Sequence, residues 1–171
     1  MKKLVLVLAI VFAGIMSANA QVWIGGGLGA QVEKNYTGFS IAPEVGYSIN
    51  NHWQVALGLS FDYKKGTPAN SISEVKNNKE LTFQPYVRYV GGTIGHKFSL
   101  FVDLCGDFGL LDRKGDFAVT LQPGIAWAAT ERFTAAFRFA TIGYDHGIYG
   151  ADGFLLKGAL SCPSVGIYYT L

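Results

Sequence analysis

The sequence predicts an all-β protein, an eight-stranded antiparallel up-and-down transmembrane β-barrel. Three observations support this fold class: an export signal at the N-terminus, segments of about ten residues with alternating apolar and polar side chains, and connections that are alternately short and long. Alternation with a period of two is typical of strands. The 22 glycines and the recurring aromatic residues disfavour long helices.

Residues 1–20 have the three parts of a secretory signal peptide. Lys2 and Lys3 precede an apolar run over residues 4–16, and Ala18 and Ala20 form a small-residue cleavage site. The apolar run is shorter than the ~20 residues that a membrane-spanning helix needs. We therefore expect export and cleavage, with residues 21–171 as a single barrel domain.

The charge of this mature chain argues against a nucleic-acid partner. Removal of Lys2 and Lys3 from the 14 basic residues leaves 12, which equals the number of acidic residues. A nucleic-acid-binding protein typically carries a basic excess.

Eight alternating segments follow the signal peptide. They cover residues 22–32, 39–49, 52–63, 81–90, 97–110, 117–129, 133–144 and 154–171. The connections after the second, fourth and sixth segments are short, whereas the others are longer and more polar, above all residues 64–80. Membrane barrels have short periplasmic turns and longer extracellular loops.

The composition of the two strand faces separates a membrane barrel from a soluble, lipocalin-like barrel. The odd-numbered positions of residues 53–63 are all large and apolar, whereas the even-numbered positions are mostly small or polar. Residues 39–47 and 117–127 repeat this pattern. A water-exposed face would carry many Lys and Glu residues, whereas a narrow lumen needs small residues and a few paired charges. The apolar face is therefore expected to contact lipid.

Four prolines recur in the even-numbered segments. Pro43, Pro85, Pro123 and Pro163 begin the stretches "PEVGY", "PYVRY", "PGIAW" and "PSVGI", at spacings of 42, 38 and 40 residues. Each spacing leaves room for two strands, too few for a propeller blade. Proline cannot donate to a β-ladder, so we expect a bulge at each one.

The signal peptide, the hairpin "PEVGYSINNHWQVALGLSFDY" and the alternating end "SVGIYYTL" resemble the small outer-membrane β-barrels of Gram-negative bacteria, with OmpX-type and OmpA-type barrel domains. The resemblance covers the whole mature chain. It implies an outer-membrane location, contact with membrane lipids and lipopolysaccharide, and insertion by the outer-membrane assembly machinery. Such barrels usually end in an aromatic residue, whereas this chain ends in Leu171, with Tyr169 on the same face.

Five charged residues are predicted to point into the lumen and to form a structural charge network: Glu44, Arg88, Asp103, Asp107 and Arg138. Charges inside a barrel of eight strands must pair, because an unpaired buried charge is costly. The main expectation is a network that fills the lumen, and the alternative is a gate or a proton relay. Interior ion pairs of this kind are also what the resemblance implies.

No catalytic residues, cofactor site or metal site are predicted. His52 and His96 fall at short turns, and His146, in "YDHGIYGAD", has no serine nearby and lacks the His-x-Ser pattern of deacylase barrels. His146, Asp145 and Asp152 share one loop and offer only a weak metal site. Cys105 and Cys162 lie on strands three places apart, about 14 Å at ~4.8 Å per strand, so two free thiols are expected.

The sequence therefore predicts a non-enzymatic protein with a structural or surface-interaction role through its extracellular loops. A narrow passive channel for small solutes is the first alternative, and a lipid A-modifying enzyme is the second.

Overall fold

A computed structural model describes residues 21–33, 36–66, 75–95, 97–111, 114–149, 152–158 and 164–171. They form ten strand segments: β1 Gln21–Glu33, β2 Tyr36–Ser48, β3 Trp53–Gly66, β4 Val75–Ile94, β5 Phe98–Leu111, β6 Phe117–Ala128, β7 Phe133–Arg138, β8 Ala140–His146, β9 Asp152–Gly158 and β10 Ser164–Thr170. Within these ranges, no helix is long and apolar enough to cross a membrane.

The segments close into a barrel of eight strand positions. β1 to β6 pair in sequence, and every pairing is antiparallel. β7 and β8 both pair with β6, so together they form the seventh strand of the barrel. β9 pairs with β8 and β10 pairs with β7, so β9 and β10 together form the eighth. The barrel closes where β10 pairs with β1. The predicted eight-stranded antiparallel barrel is therefore confirmed.

The two ends of the barrel differ in their connections. The turn end carries the connections after β2, β4 and β6 together with Gln21 and Leu171. At the loop end lie the facing ends of β1 and β2, of β3 and β4, of β5 and β6, and of β8 and β9. Two of the tight turns are closed by a side-chain oxygen. Asn50 Oδ1 accepts from the backbone N–H of His52 and Trp53, and Thr130 Oγ1 accepts from the backbone N–H of Arg132 and Phe133.

The outer face is apolar, as predicted, with aromatic residues near both ends. At the turn end Trp53 packs on Tyr89, and at the loop end Phe117 packs on Tyr144. On β5, outward-facing Phe98 and Phe108 are ten residues apart, and both are exposed. At ~3.4 Å per residue and the usual ~40° tilt, this separation is about 26 Å, close to the apolar band of a membrane barrel.

The inner face combines large rings with glycines. Trp23, Tyr86, Phe101 and Tyr168 are all buried in one cluster. Their space is provided by glycine: a Cβ at Gly46 would overlap the Trp23 indole, and Cβ atoms at other glycines would overlap the Phe101 or Tyr168 ring. The inward position of Trp23 also defines the phase of β1, which the glycine-rich sequence left open.

The strand prolines are accommodated in two ways. Pro43 keeps its pair with Gly26 on β1, but the ladder with β3 skips residues 42 and 43 without a change of register. Pro85 repeats this arrangement between β3 and β5. At Pro123 the register towards β7 and β8 changes by one residue around Phe139, whose N–H donates to the Pro123 carbonyl. The expected bulge is therefore present at Pro123 and wrong for Pro43 and Pro85.

The structure also shortens predicted connections, above all the stretch 64–80. β3 extends to Gly66 and β4 begins at Val75, so both ends of the polar stretch 64–80 are strand. Hairpin pairing needs only backbone groups, and the polar side chains do not prevent it beyond an apolar band. Residues 67–74, the predicted signal peptide, His96, Cys162 and Pro163 lie outside the described residues.

Replacement of Gly46 by alanine should destabilise the barrel, because the new methyl group would overlap the Trp23 ring. Overpacking of this kind costs about 1–3 kcal/mol of unfolding free energy. The measurement is urea unfolding of the refolded protein in detergent micelles. The control is Gly92→Ala, since a Cβ at Gly92 meets open space. Equal midpoints for the two variants would show that Trp23 does not pack on Gly46.

Candidate functional site in the barrel lumen

Arg88 and Asp103 form a two-point ion pair between neighbouring strands. They face each other across the β4–β5 ladder. Arg88 Nε lies 2.6 Å from Asp103 Oδ1, and Arg88 Nη2 lies 2.8 Å from Asp103 Oδ2. The guanidinium also stacks on the Phe101 ring at 4.1 Å. Two parallel bonds restrict the orientation of both side chains, which is the advantage of arginine at such a pair.

Arg138 extends this pair to other strands. Its Nε donates to Asp103 Oδ2 at 2.8 Å, and its Nη1 lies 3.5 Å from Glu44 Oε1. Glu44 stands on β2 and Arg138 on β7, so the contact crosses the lumen. Glu44 Oε2 also accepts from the hydroxyls of Tyr86 at 2.6 Å and Tyr168 at 3.2 Å. We call Glu44, Arg88, Asp103 and Arg138 the central network.

The central network is compact and carries no formal net charge. It combines two guanidinium groups with two carboxylates, and all four side chains are at most 12% exposed. Ion pairs at such burial persist only when charges and hydrogen bonds are both satisfied.

Asp107, the fifth predicted residue, points into the lumen but is hydrogen-bonded to other partners. Its Oδ1 accepts from Gln84 Nε2 at 2.8 Å, and its Oδ2 accepts from the Tyr149 hydroxyl at 3.0 Å. Tyr149 in turn donates its backbone N–H to the buried Asp145 carboxylate. Asp107 and its two donors therefore form a second polar cluster nearer the loop end.

Sequence reasoning missed several residues of these clusters. Tyr86 and Gln84 share the inward face of β4 with Arg88, so their alternation with Pro85 and Val87 could have identified them. Tyr149 lies in the connection between β8 and β9. No periodicity places a residue of a connection in the lumen.

A cavity of about 250 Å³ is lined by residues of both clusters. Glu44, Tyr86 and Arg138 line it on the central-network side. Gln84, Asp107 and Tyr149 line another wall. The predicted lumen is therefore filled at the level of the central network and partly empty beyond it.

Among the described residues, the side chains of Asp145 and His146 point to opposite faces of β8. His146 ends β8 directly opposite Phe117, and its Nδ1 lies 2.8 Å from Asp152 Oδ1. Asp145 faces inward instead, and the described residues contain no group of three metal-ligating side chains.

The two remaining candidates are His52, which contacts a neighbouring strand, and Cys105, which is buried. His52 lies at the turn end, with Nδ1 3.0 Å from the Val90 carbonyl, and stacks on Tyr89. Cys105 is buried and carries a free thiol, in agreement with the prediction for this residue.

Comparison with known proteins gives a likeness of fold. No protein-family model and no curated protein matches the chain. Among solved structures, it is similar to the backbone structure of the Yersinia pestis outer membrane protein Ail in a phospholipid bilayer nanodisc, with a TM-score of 0.50 and 14% identity over 90% of this chain and 100% of that chain. The likeness supports the barrel architecture predicted from the resemblance.

Substitution of Arg138 by alanine should destabilise the barrel strongly, because Glu44 and Asp103 lose a shared cation. Removal of one partner from a buried ion pair costs about 3–5 kcal/mol. Urea unfolding in micelles measures the effect. Arg132→Ala, at an exposed turn, is the control and should change the midpoint little. If both variants unfold at the wild-type midpoint, the central network does not stabilise the fold.

Proposed function

We propose that the chain is an integral outer-membrane barrel with a closed lumen, exported by residues 1–20, that serves a structural or surface-interaction role at its loop end. The observation that carries this proposal is the contact of Arg138 with both Asp103 and Glu44, which joins three strands across the lumen. Together with the rings of Tyr86 and Tyr168, this contact occupies the space that a solute would have to cross.

The outer face supports the membrane location. Its apolar side chains form a continuous belt; on β3 these are Trp53, Val55, Leu57, Leu59 and Phe61, each 36–46% exposed. An apolar patch of this extent is unusual on a soluble monomer and marks contact with a membrane or another protein. Membrane lipids and lipopolysaccharide are therefore the proposed surroundings of the belt, and the assembly machinery is the proposed route of insertion.

The loop end supports the surface role. The ladder between β3 and β4 continues to Gly66 and Val75, whereas the ladder between β4 and β5 ends at Glu80 and Leu111. The β3–β4 hairpin thus projects beyond its neighbour β5. Projecting segments on a rigid scaffold commonly carry recognition.

The surroundings of His146 support a non-enzymatic role. Its side chain contacts the Asp152 carboxylate, and both side chains are well exposed. In the described part of the chain, no serine or cysteine is hydrogen-bonded to His146. An acyl-transfer enzyme needs a nucleophile within hydrogen-bond distance of its base.

The location and orientation predict a labelling pattern. Lys65 is exposed at the loop end and Asn51 at the turn end. In a background with both native cysteines replaced by serine, Lys65→Cys should react with a membrane-impermeant maleimide on intact Gram-negative cells. Asn51→Cys should react only after the outer membrane is permeabilised. Labelling of Asn51→Cys alone on intact cells would show that the barrel has the opposite orientation. Equal labelling of both variants would contradict membrane insertion.

The closed lumen predicts an electrical result. The wild-type barrel should give no reproducible solute-selective conductance in a planar bilayer, because the central network spans the lumen. The Arg138→Ala barrel should show conductance openings more often than the Arg132→Ala barrel, because the Arg132 substitution leaves the lumen unchanged. Stable wild-type conductance would favour the passive channel instead of the closed barrel.

A further inference from the structure

The cavity beyond the central network is lined by polar side chains from several strands. Glu44, Arg138 and the Tyr86 ring lie on one side of it, and Gln84, Asp107 and Tyr149 lie on another. At about 250 Å³ it is slightly smaller than the usual pockets for drug-sized ligands. It is several times larger than the ~30 Å³ that one water molecule occupies in the liquid. The space therefore suits a small organic molecule.

The charge of Asp107 indicates which charge that molecule would carry. Asp107 is fully buried, and both of its oxygens accept hydrogen bonds from neutral donors, Gln84 and Tyr149. No lysine or arginine among the described side chains forms an ion pair with it. The central network already contains equal numbers of cations and anions. Asp107 thus adds one negative charge to a lining that is otherwise neutral.

The walls also contain apolar and aromatic surface. Tyr86 and Tyr149 contribute rings, and Ala42 and Cys105 contribute apolar atoms. Arg138 and Lys157 already lie over the rings of Tyr86 and Tyr149, at 5.2 and 5.3 Å, so both rings accept cations on their faces. An alkylammonium ion matches both the carboxylate and these walls better than a hydrated metal ion does.

We propose that the loop-side cavity binds a small monovalent organic cation, of the primary alkylammonium class, with the ammonium group at Asp107 and the alkyl part against Tyr86 and Tyr149. The ammonium group would place a cation in direct contact with the Asp107 carboxylate. This site is independent of the proposed surface role, since it requires only the folded barrel.

Butylammonium chloride is the probe, titrated into the refolded full-length mature barrel in zwitterionic detergent micelles at constant ionic strength. Isothermal calorimetry should show saturable binding. NMR should show shifts of the Tyr86 and Tyr149 ring signals. Sodium butanoate and butanol match the probe in length but not in charge, and they should show no saturable binding. Absence of saturable butylammonium binding, or equal binding of butanoate, would overturn the proposal.

Asp107→Asn should weaken butylammonium binding at least tenfold, because the amide keeps the size of the carboxylate and removes its charge. Asp152→Asn makes the same change on the exposed rim and should leave the affinity unchanged. Near-ultraviolet circular dichroism checks that both variants are folded. Equal affinity of a folded Asp107→Asn variant would overturn the proposal, and if that variant does not fold, the wild-type comparison of butylammonium with butanoate decides. The micelle assay needs no membrane location or conductance, so its failure is distinct from failure of the proposed function.

Discussion

Closure of the backbone ladder between β1 and β10 is the constraint on which the rest of the structure depends. Trp23–Gly27 pair with Gly166–Thr170 at this seam. In hydrocarbon there is no water to satisfy an open edge, so a spanning sheet must close. The same requirement restricts the prolines. Each described strand proline remains paired with a residue of the preceding strand. The ladder is interrupted at the proline only on the other side, towards the strand that follows in the barrel.

Closure with eight strands leaves a lumen that side chains must fill. The protein fills it near the turn end with Trp23, Tyr168 and Phe101, each packed where a glycine leaves room. At mid-height, Arg138 contacts both Asp103 and Glu44, and Arg88 completes the neutral central network. Packing and charge neutrality therefore follow from the same narrow geometry, and each limits the substitutions that the other allows.

The inward direction of the charged residues followed from alternation alone, because strand side chains change face at every residue. Glu44, Arg88, Asp103, Asp107 and Arg138 all face the lumen. Alternation could not show that Arg138 reaches Glu44 on a distant strand, or that Asp107 lies in a separate cluster. It also gave no reason to place Tyr149, a residue of the β8–β9 connection, against Asp107.

The sequence by itself determined the strand segments, the apolar outer face and the distinction between short turns and long connections, because these depend on neighbours within a few residues. It did not determine the ends of β3 and β4, since polar side chains conceal a hairpin held by backbone bonds. Only the tertiary structure decided the register at each proline, the cross-lumen partners of Arg138 and the cavity beside Asp107. Those features depend on how far each strand is offset along its neighbour, and a period of two carries no information about that offset.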